Sequence, residues 1–329
     1  MTDRAGRVTI IMCAYTEDRW PELVAAIDSL RHQSRPPHEI ILVIDHHQPL
    51  FVRAREQLPD VIVIENRQPR GLSGARNSGI AIAGGDVIAF MDEDATAAPD
   101  WLERLTRCYN NDQVLGVGGA IEPLWLTGRP AWFPAEFDWV VGCTYRGLPE
   151  TTGPVRNLIG CNMSFRRDVF QQVGGFRSGI GRVGVRPIGC EETELCIRLH
   201  QHQPQGMLLY EPPARVFHRV PRNRSSWRYF IARCYSEGLS KAIVAKFVGA
   251  EAGLSSERTY TFRTLPRGIA RGLWDVMRRG DVAGLARAAA IVIGLLVTAL
   301  GFFSGKVQQW LPVDHSDEMQ DQTASGVIQ

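Results

Sequence analysis

Four short apolar runs near the start of the chain constrain it most: VTIIMCAY (8–15), EIILVID (39–45), VIVIEN (61–66) and DVIAFMD (86–92). None alternates polar with apolar residues, so a strand built from any of them expects burial on both faces. Stretches of helical period separate the runs. Leu23, Ile27 and Leu30 fall on one helix face, and SGARNSGIAIA (73–83) is helical in pattern. Pro99 is suited to the first turn of a further helix through Trp101, Leu102 and Leu105. Apolar strands alternating with helices predict an α/β fold, a mainly parallel sheet covered on both faces. Such sheets bind ligands beyond the carboxyl ends of their strands.

Those ends are polar here. Tyr15-Thr16-Glu17 follows the first run, Asp45 closes the second, and Asp92-Glu93-Asp94 closes the fourth. Three adjacent carboxylates repel one another, which a solvated turn or a helix cap tolerates. Their convergence with two other strand ends points instead to a site that gathers charge.

Beyond residue 116 the texture changes. VLGVGGAIEP reads as a strand, followed by an aromatic stretch with Trp125, Trp132, Phe133, Phe137 and Trp139 that suits a core. NLIGCNMSFRR (157–167) is strand-like. CEETELCIRLHQH fits a helix starting near Glu191, where Glu191, Glu192 and Glu194 suit the helix dipole. MLLYEP and ARVFHRV read as two short strands, and SSWRYFIARCYSEGLSKAIVAKFV as a long helix.

Composition narrows the classes. At 329 residues, 44% hydrophobic and 22% charged, the chain has enough apolar mass for a real core. A net charge of +2 supplies no basic field for nucleic acid. The seven cysteines form no C-x-x-C pair, and they read as small buried hydrophobes in a reducing compartment. The N-terminus carries no apolar signal region, so the bulk of the chain is expected in the cytoplasm.

The C-terminal part differs. Ala288 to Phe303 is an uncharged run of 16 residues. As a helix it measures about 24 Å, short of a bilayer core of about 30 Å. Arg263, Arg267, Arg271, Arg278, Arg279 and Arg287 precede it and suit an anionic cytoplasmic leaflet. Membrane association, by span or along the interface, is one expectation. Packing on the body of the protein or in a homodimer is the other.

With these features in order, the chain resembles the inverting nucleotide-sugar glycosyltransferases of family two, which have the GT-A fold. The resemblance covers roughly residues 7 to 235. It rests on CAYTEDRW, VIDHH, GLSGARNSGIAIAGGDVIAFMDEDA, GCNMSFRR, GCEETELCIRL and VFHRV in that order. Within it, the segments GARNSG and EETELC are similar to those of enzymes moving glucuronic acid to lipid-linked sugars. The implied organisation is a nucleotide-sugar half (1–115), an acceptor and catalytic-base half (116–225), C-terminal helices (226–305) at a membrane surface, and a flexible tail (306–329).

The resemblance implies a Mn2+ or Mg2+ ion held by Asp94, with Asp92 toward the ribose or sugar and His218 close to the metal or diphosphate. Hard carboxylate oxygens suit either cation, which would neutralise a departing nucleotide diphosphate. Glu93 is expected to point elsewhere, because neighbouring residues at a strand end face opposite ways. Asp45, Tyr15 and Glu17 would line the base and ribose pocket, and Arg76 and Asn77 would meet the nucleotide. Glu191-Glu192 matches the family's acidic pair, usually E-D or D-D, that supplies the general base; the second glutamate leaves the choice open, with Glu192 favoured. Asn162, with Gly160 and Cys161, would shape the acceptor floor. Arg222, Arg224 and Trp227 partly match a cluster that binds diphosphate and acceptor. The expected partners are a nucleotide-diphosphate sugar, UDP-linked by preference, and a glycan or lipid-linked acceptor, on the cytoplasmic face of the membrane. A sugar nucleotidyltransferase would want a glycine-rich phosphate loop after the first strand, which CAYTEDRW lacks. A non-catalytic nucleotide-sugar scaffold would have no need of all four carboxylates.

Overall fold

The computed structural model describes residues 6–181, 189–249 and 259–308. Strands β1 (Val8–Ala14), β2 (Glu39–Ile44), β3 (Ile62–Glu65) and β4 (Val87–Met91) are parallel, in the order β3-β2-β1-β4. Helices α1 (Trp20–Arg31), α2 (Gln48–Gln57) and α3 (Leu72–Ile80) connect them. The two-residue period of the strands builds two cores. Ile10, Met12, Leu42, Ile44, Ala89 and Met91 face one side with Leu23, Ile27 and Leu30 of α1. Ile11, Ile41, Val43, Ile88 and Phe90 face the other with Ala75 of α3. Gly71 starts α3 at φ 125°, a conformation that favours glycine.

The sheet then becomes mixed. After β5 (Ala95–Ala97) come α4 (Trp101–Arg107), β6 (Val114–Trp125), β7 (Gly153–Pro154) and β8 (Asn162–Arg166). Helices α5 (Arg167–Val173) and α6 (Glu191–His202) lead to β9 (Met207–Val220). β8 runs antiparallel between β4 and β6, while β6 and β9 pair in parallel. β5 and β7 both pair antiparallel with β9. One continuous sheet therefore joins the two halves expected from sequence, and its antiparallel part enters with β8.

Two local readings need correction. MLLYEP and ARVFHRV are one strand, β9. Opposite Gly119 and Ala120 its partner jumps from Glu211 to Arg215, so Pro212 to Ala214 bulge out and the ladder resumes. Pro99 is not in the first turn of α4; Asp100 is the N-cap and Trp101 the first helical residue.

Three helices follow: α7 (Trp227–Val248), α8 (Leu265–Arg279) and α9 (Ala283–Gln308). α9 extends the uncharged run at both ends. It is long and apolar enough to cross a membrane, with a mean hydropathy of 2.2, yet a third of its most apolar stretch is buried against the protein. Its Gly301 lies so close to Tyr235, and Gly238 of α7 so close to Thr298, that a Cβ at either would meet backbone atoms. α9 is thus fastened along α7 on one side. The other side exposes Leu285, Val292, Leu296, Leu300 and Phe303. Of the tail expected from residue 306, residues 309–329 lie outside the described residues.

Candidate active site

The site forms where β1, β2 and β4 end. Past β4 the chain turns tightly into β5, and the pairing of Ala95 with His218 sets β9 beside the acidic triplet. His218 Nε2 consequently lies 3.1 Å from Asp94 Oδ1, both side chains being buried. Arg19 and Arg224 approach Asp94 Oδ2 at 3.3 and 3.5 Å. Burial opposes ionisation of Asp94, but the charge and hydrogen bond of His218, then Arg224 and Arg19, outweigh it and hold the carboxyl well below the usual range.

Glu93, expected to face elsewhere, is also buried and turned to Arg19 at 2.7 Å. Burial and then the Asp94 charge push it up to about 7. Arg19 therefore relieves the repulsion that the triplet creates. It went unnoticed in the sequence, although it sits a few residues past β1, where a cation can swing toward the neighbouring strand end.

Asp92 is partly exposed and meets Arg76 Nη2 at 3.5 Å. Arg76 is buried; its Nη1 donates to Glu191 Oε1 at 2.7 Å and its Nη2 to the Gly160 carbonyl at 3.1 Å. One guanidinium thus joins the β4 end to the start of α6. Cys190, just before α6, adopts a left-handed conformation (φ 74°), which a non-glycine residue rarely takes. Glu191 is buried against Arg76, whereas its neighbour Glu192 is partly exposed, and both line one cleft. Burial, then the Glu191 charge, raises the proton affinity of Glu192 well above an ordinary glutamate. Glu194, the third acid of this helix, is fully buried and bound to Arg177 and Arg198, so it braces α6 instead.

The cleft runs from Asp92, Arg76 and Leu72 past Glu191 and Glu192 to Arg233, Glu237 and Lys241 of α7. Trp139, Tyr145 and Tyr260 form an aromatic wall. The α7 residues were not foreseen; their signal is a spacing of four residues, which puts them on one helix face.

The next expected residues lie outside the lining of this cleft. Asp45 is buried, accepting from Asn66 Nδ2 at 2.7 Å and from the Gly71 amide at 3.0 Å, so it fixes the entry to α3. Tyr15 is exposed beside Arg19, and Glu17 lies 3.6 Å from Arg53. Arg222 belongs to the short turn that leads from β9 into α7. Trp227 stacks on Trp132 at 4.1 Å between ring centroids. Asn77 points away from the cleft and clamps the backbone of Phe176 through both its amide nitrogen and oxygen. Asn162 needs correction. It is fully buried, binding Ala120, Ala214 and the Trp101 indole, so it ties strands together and does not surface as an acceptor floor.

Asp92, Asp94 and His218 form a group that can hold a metal ion, with ligand atoms within 4.8 Å of one another. Two hard carboxylates and an imidazole nitrogen fit Mn2+ or Mg2+ and do not distinguish them.

Comparison with known proteins gives the family and the fold. The model of glycosyl transferase family 2 matches residues 9–174. Glucosyl-dolichyl phosphate glucuronosyltransferase of Haloferax volcanii is 36% identical over 242 residues, 72% of this chain and 77% of that protein. Succinoglycan biosynthesis protein ExoM of Rhizobium meliloti is 26% identical over 301 residues, 89% of this chain and 86% of that protein. Among solved structures, the mannosyltransferase PcManGT from Pyrobaculum calidifontis in complex with GDP-Man and Mn2+ superposes with a TM-score of 0.55 at 18% identity, covering 90% of this chain and 87% of that one. The fold is therefore GT-A, with added C-terminal helices.

Proposed function

Because the chain belongs to glycosyl transferase family 2, we propose that it moves a sugar, with inversion and with a divalent cation, from a nucleotide-diphosphate donor to a hydroxyl of a lipid-linked saccharide. The observation that carries the reading is the linkage of the Asp92–Asp94–His218 group to Glu191 through Arg76, with Glu192 free to face the same cleft. Asp92, Asp94 and His218 would hold Mn2+ or Mg2+, which when bound neutralises charge on the leaving diphosphate.

The remaining chemistry falls to this chain's own residues. Glu191 is pinned to Arg76 and positions it. Glu192 takes the proton of the acceptor hydroxyl as its oxygen bonds to the anomeric carbon and the bond to the diphosphate breaks on the opposite face. Its raised proton affinity suits a group that must take up a proton. Asp45, Tyr15 and Glu17 would contact the base and ribose of a UDP-type donor. The lipid-linked acceptor is favoured by the glucosyl-dolichyl phosphate relative and by the apolar faces of α8 and α9, which would rest on the cytoplasmic face of the membrane.

The test is transfer from a panel of UDP- and GDP-sugars to a lipid-linked monosaccharide in Mn2+, with the product's anomeric configuration read by NMR. Inverted product, lost on chelation, is expected. Retention of configuration, or full activity in chelator, would overturn the reading.

A further inference from the structure

The cleft beside Glu192 carries charge of both signs in balance. Its lining holds four cations and four carboxylates. Several pair off: Arg76 meets Asp92 and Glu191, and Lys241 Nζ lies 3.7 Å from Glu237 Oε1. An acidic or basic ligand would find opposite charges that are already answered. An uncharged polyol suits such a lining, because each hydroxyl can donate to one group and accept from another.

Glu237 shows where a hydroxyl would go. It lies on α7, four residues from both Arg233 and Lys241, and its side chain is only 18% exposed. Among the described residues both of its contacts fall on Oε1: Lys241 at 3.7 Å and the Cys190 thiol at 3.6 Å. Oε2 therefore has no hydrogen-bond donor, although the carboxylate is mostly buried and lines the cleft. A group of this kind calls for a partner. The Cys190 contact also sets Glu237 beside the start of α6, where Glu191 and Glu192 begin the helix.

The aromatic part of the lining offers ring surface. The Trp139 indole donates to the Tyr260 hydroxyl at 3.0 Å, which donates to the Glu136 carbonyl at 2.6 Å. The polar edges of Trp139 and Tyr260 are thus occupied within the protein. The Tyr145 and Tyr260 rings meet edge-on, 5.2 Å apart between centroids. Aromatic surface beside a hydroxyl-seeking carboxylate complements a pyranose, which presents C–H groups on its faces and hydroxyls round its edge.

We propose that Tyr260 and Glu237 form the subsite for the sugar ring of the acceptor, an uncharged pyranose that lies against Tyr260 and donates hydroxyl hydrogen bonds to Glu237. The inference rests on the reaction proposed above and adds the acceptor's charge class and two residues that read it. Binding tests it apart from transfer. Full-length protein is held in a detergent that contains no sugar. Methyl glucoside, galactoside and mannoside, each beside the matching uronide, are titrated and read by saturation-transfer NMR.

At least one neutral hexoside should bind, with saturation strongest on the ring protons of one face. Its uronide should bind about tenfold more weakly. Tyr260→Leu and Glu237→Gln should each weaken the hexoside about tenfold, in the second case through loss of a charge-assisted hydrogen bond. Tyr260→Phe keeps the ring and should bind nearly as well as the wild type. Glu237→Gln should also narrow the gap to the uronide, since it leaves the lining with more cations than carboxylates. Affinity for nucleotide diphosphate with Mn2+ should not change in any variant. Failure of every neutral hexoside to bind, a preference for the uronides, or undiminished binding in either Tyr260→Leu or Glu237→Gln would overturn the subsite. So would a parallel loss for nucleotide diphosphate, which would assign the two residues to the donor. If Tyr260→Leu does not fold, Glu237→Gln decides. Wild type that binds a hexoside in this manner but transfers no sugar would count against the proposed reaction and leave the subsite standing. Transfer to the lipid-linked monosaccharide with an unchanged KM in both variants would do the reverse.

Discussion

Glu191 lies 2.7 Å from Arg76, a residue 115 positions earlier, and both side chains are buried. The contact spans the two halves of the site. A buried pair of this kind adds little net stability, yet removing one partner leaves an uncompensated charge at a cost of about 3–5 kcal/mol. Arg76→Ala should therefore lower thermal stability sharply as well as activity. Adding Glu191→Gln should recover much of the stability and none of the activity. Differential scanning fluorimetry of the two single variants and the double variant checks this; strictly additive losses would mean the two residues do not act as a pair.

The carboxylate group supplies the second expectation. Asp94→Asn removes a charge that faces His218, Arg19 and Arg224. Glu93 still holds Arg19, so the protein should fold with a lowered melting temperature. Calorimetry should show that Mn2+ no longer strengthens nucleotide-diphosphate binding. Unchanged Mn2+ dependence would place the cation elsewhere.

The third concerns pH. The raised proton affinity of Glu192 means that the folded protein resists its ionisation, burial being the main cause. The stability tied to its protonated form is complete below the ordinary glutamate value of 4.5 and is lost as pH rises through the higher folded value. Glu192→Gln should melt at or above the wild-type temperature at neutral pH, with the difference closing below that value. Turnover should fall by about 10² to 10⁴. The acidic limb of the wild-type rate profile should lie above 4.5 as well. A variant that is both active and less stable at pH 7 would contradict this.

How much of this was legible in the sequence depends on the range of the interaction. β1, β2 and β4 are readable because burial on both faces writes an unbroken apolar run, and the strand ends follow from them. β9 was split because Pro212-Pro213 look like a break, while the pairing with β6 that carries the strand past them is a tertiary fact. Asn162 has the right chemistry and neighbourhood for a ligand contact, but three hydrogen bonds from other strands and α4 enclose it. Arg19, Arg233 and Lys241 were missed for the converse reason. Each looks like an ordinary surface cation until its helix is docked, and only the folded chain shows that it faces carboxylates or a cleft.

The last expectation concerns the membrane. α9 cannot cross a bilayer as a free helix, because Gly238 and Gly301 seal it to α7 and Ala288, Ala290 and Ile291 are buried. Its outer face exposes Leu296 (58%), Leu300 (61%) and Phe303 (65%), and α8 adds Trp274 (53%) and Met277 (79%). Arg267 and Arg278 of α8, and Arg263 just before it, each follow an exposed apolar residue (Pro266, Met277 and Phe262), and each such cation near an anionic surface contributes about 1 kcal/mol. An interfacial posture, with both apolar faces dipped into one leaflet, satisfies all of these contacts. The full-length protein should co-sediment with phosphatidylserine-containing vesicles. High salt should weaken the binding without abolishing it, and detergent should release the protein. Met277→Glu with Leu296→Glu should shift most of it to the supernatant while leaving the fold intact, since both side chains are already exposed. Deleting α8 and α9 is a poorer test, because it would strip cover from Phe137 and Phe230 and expose core. If the double variant still sediments with vesicles, or the wild type stays in solution without detergent, the outer faces serve another contact, and a dimer should then appear in analytical ultracentrifugation.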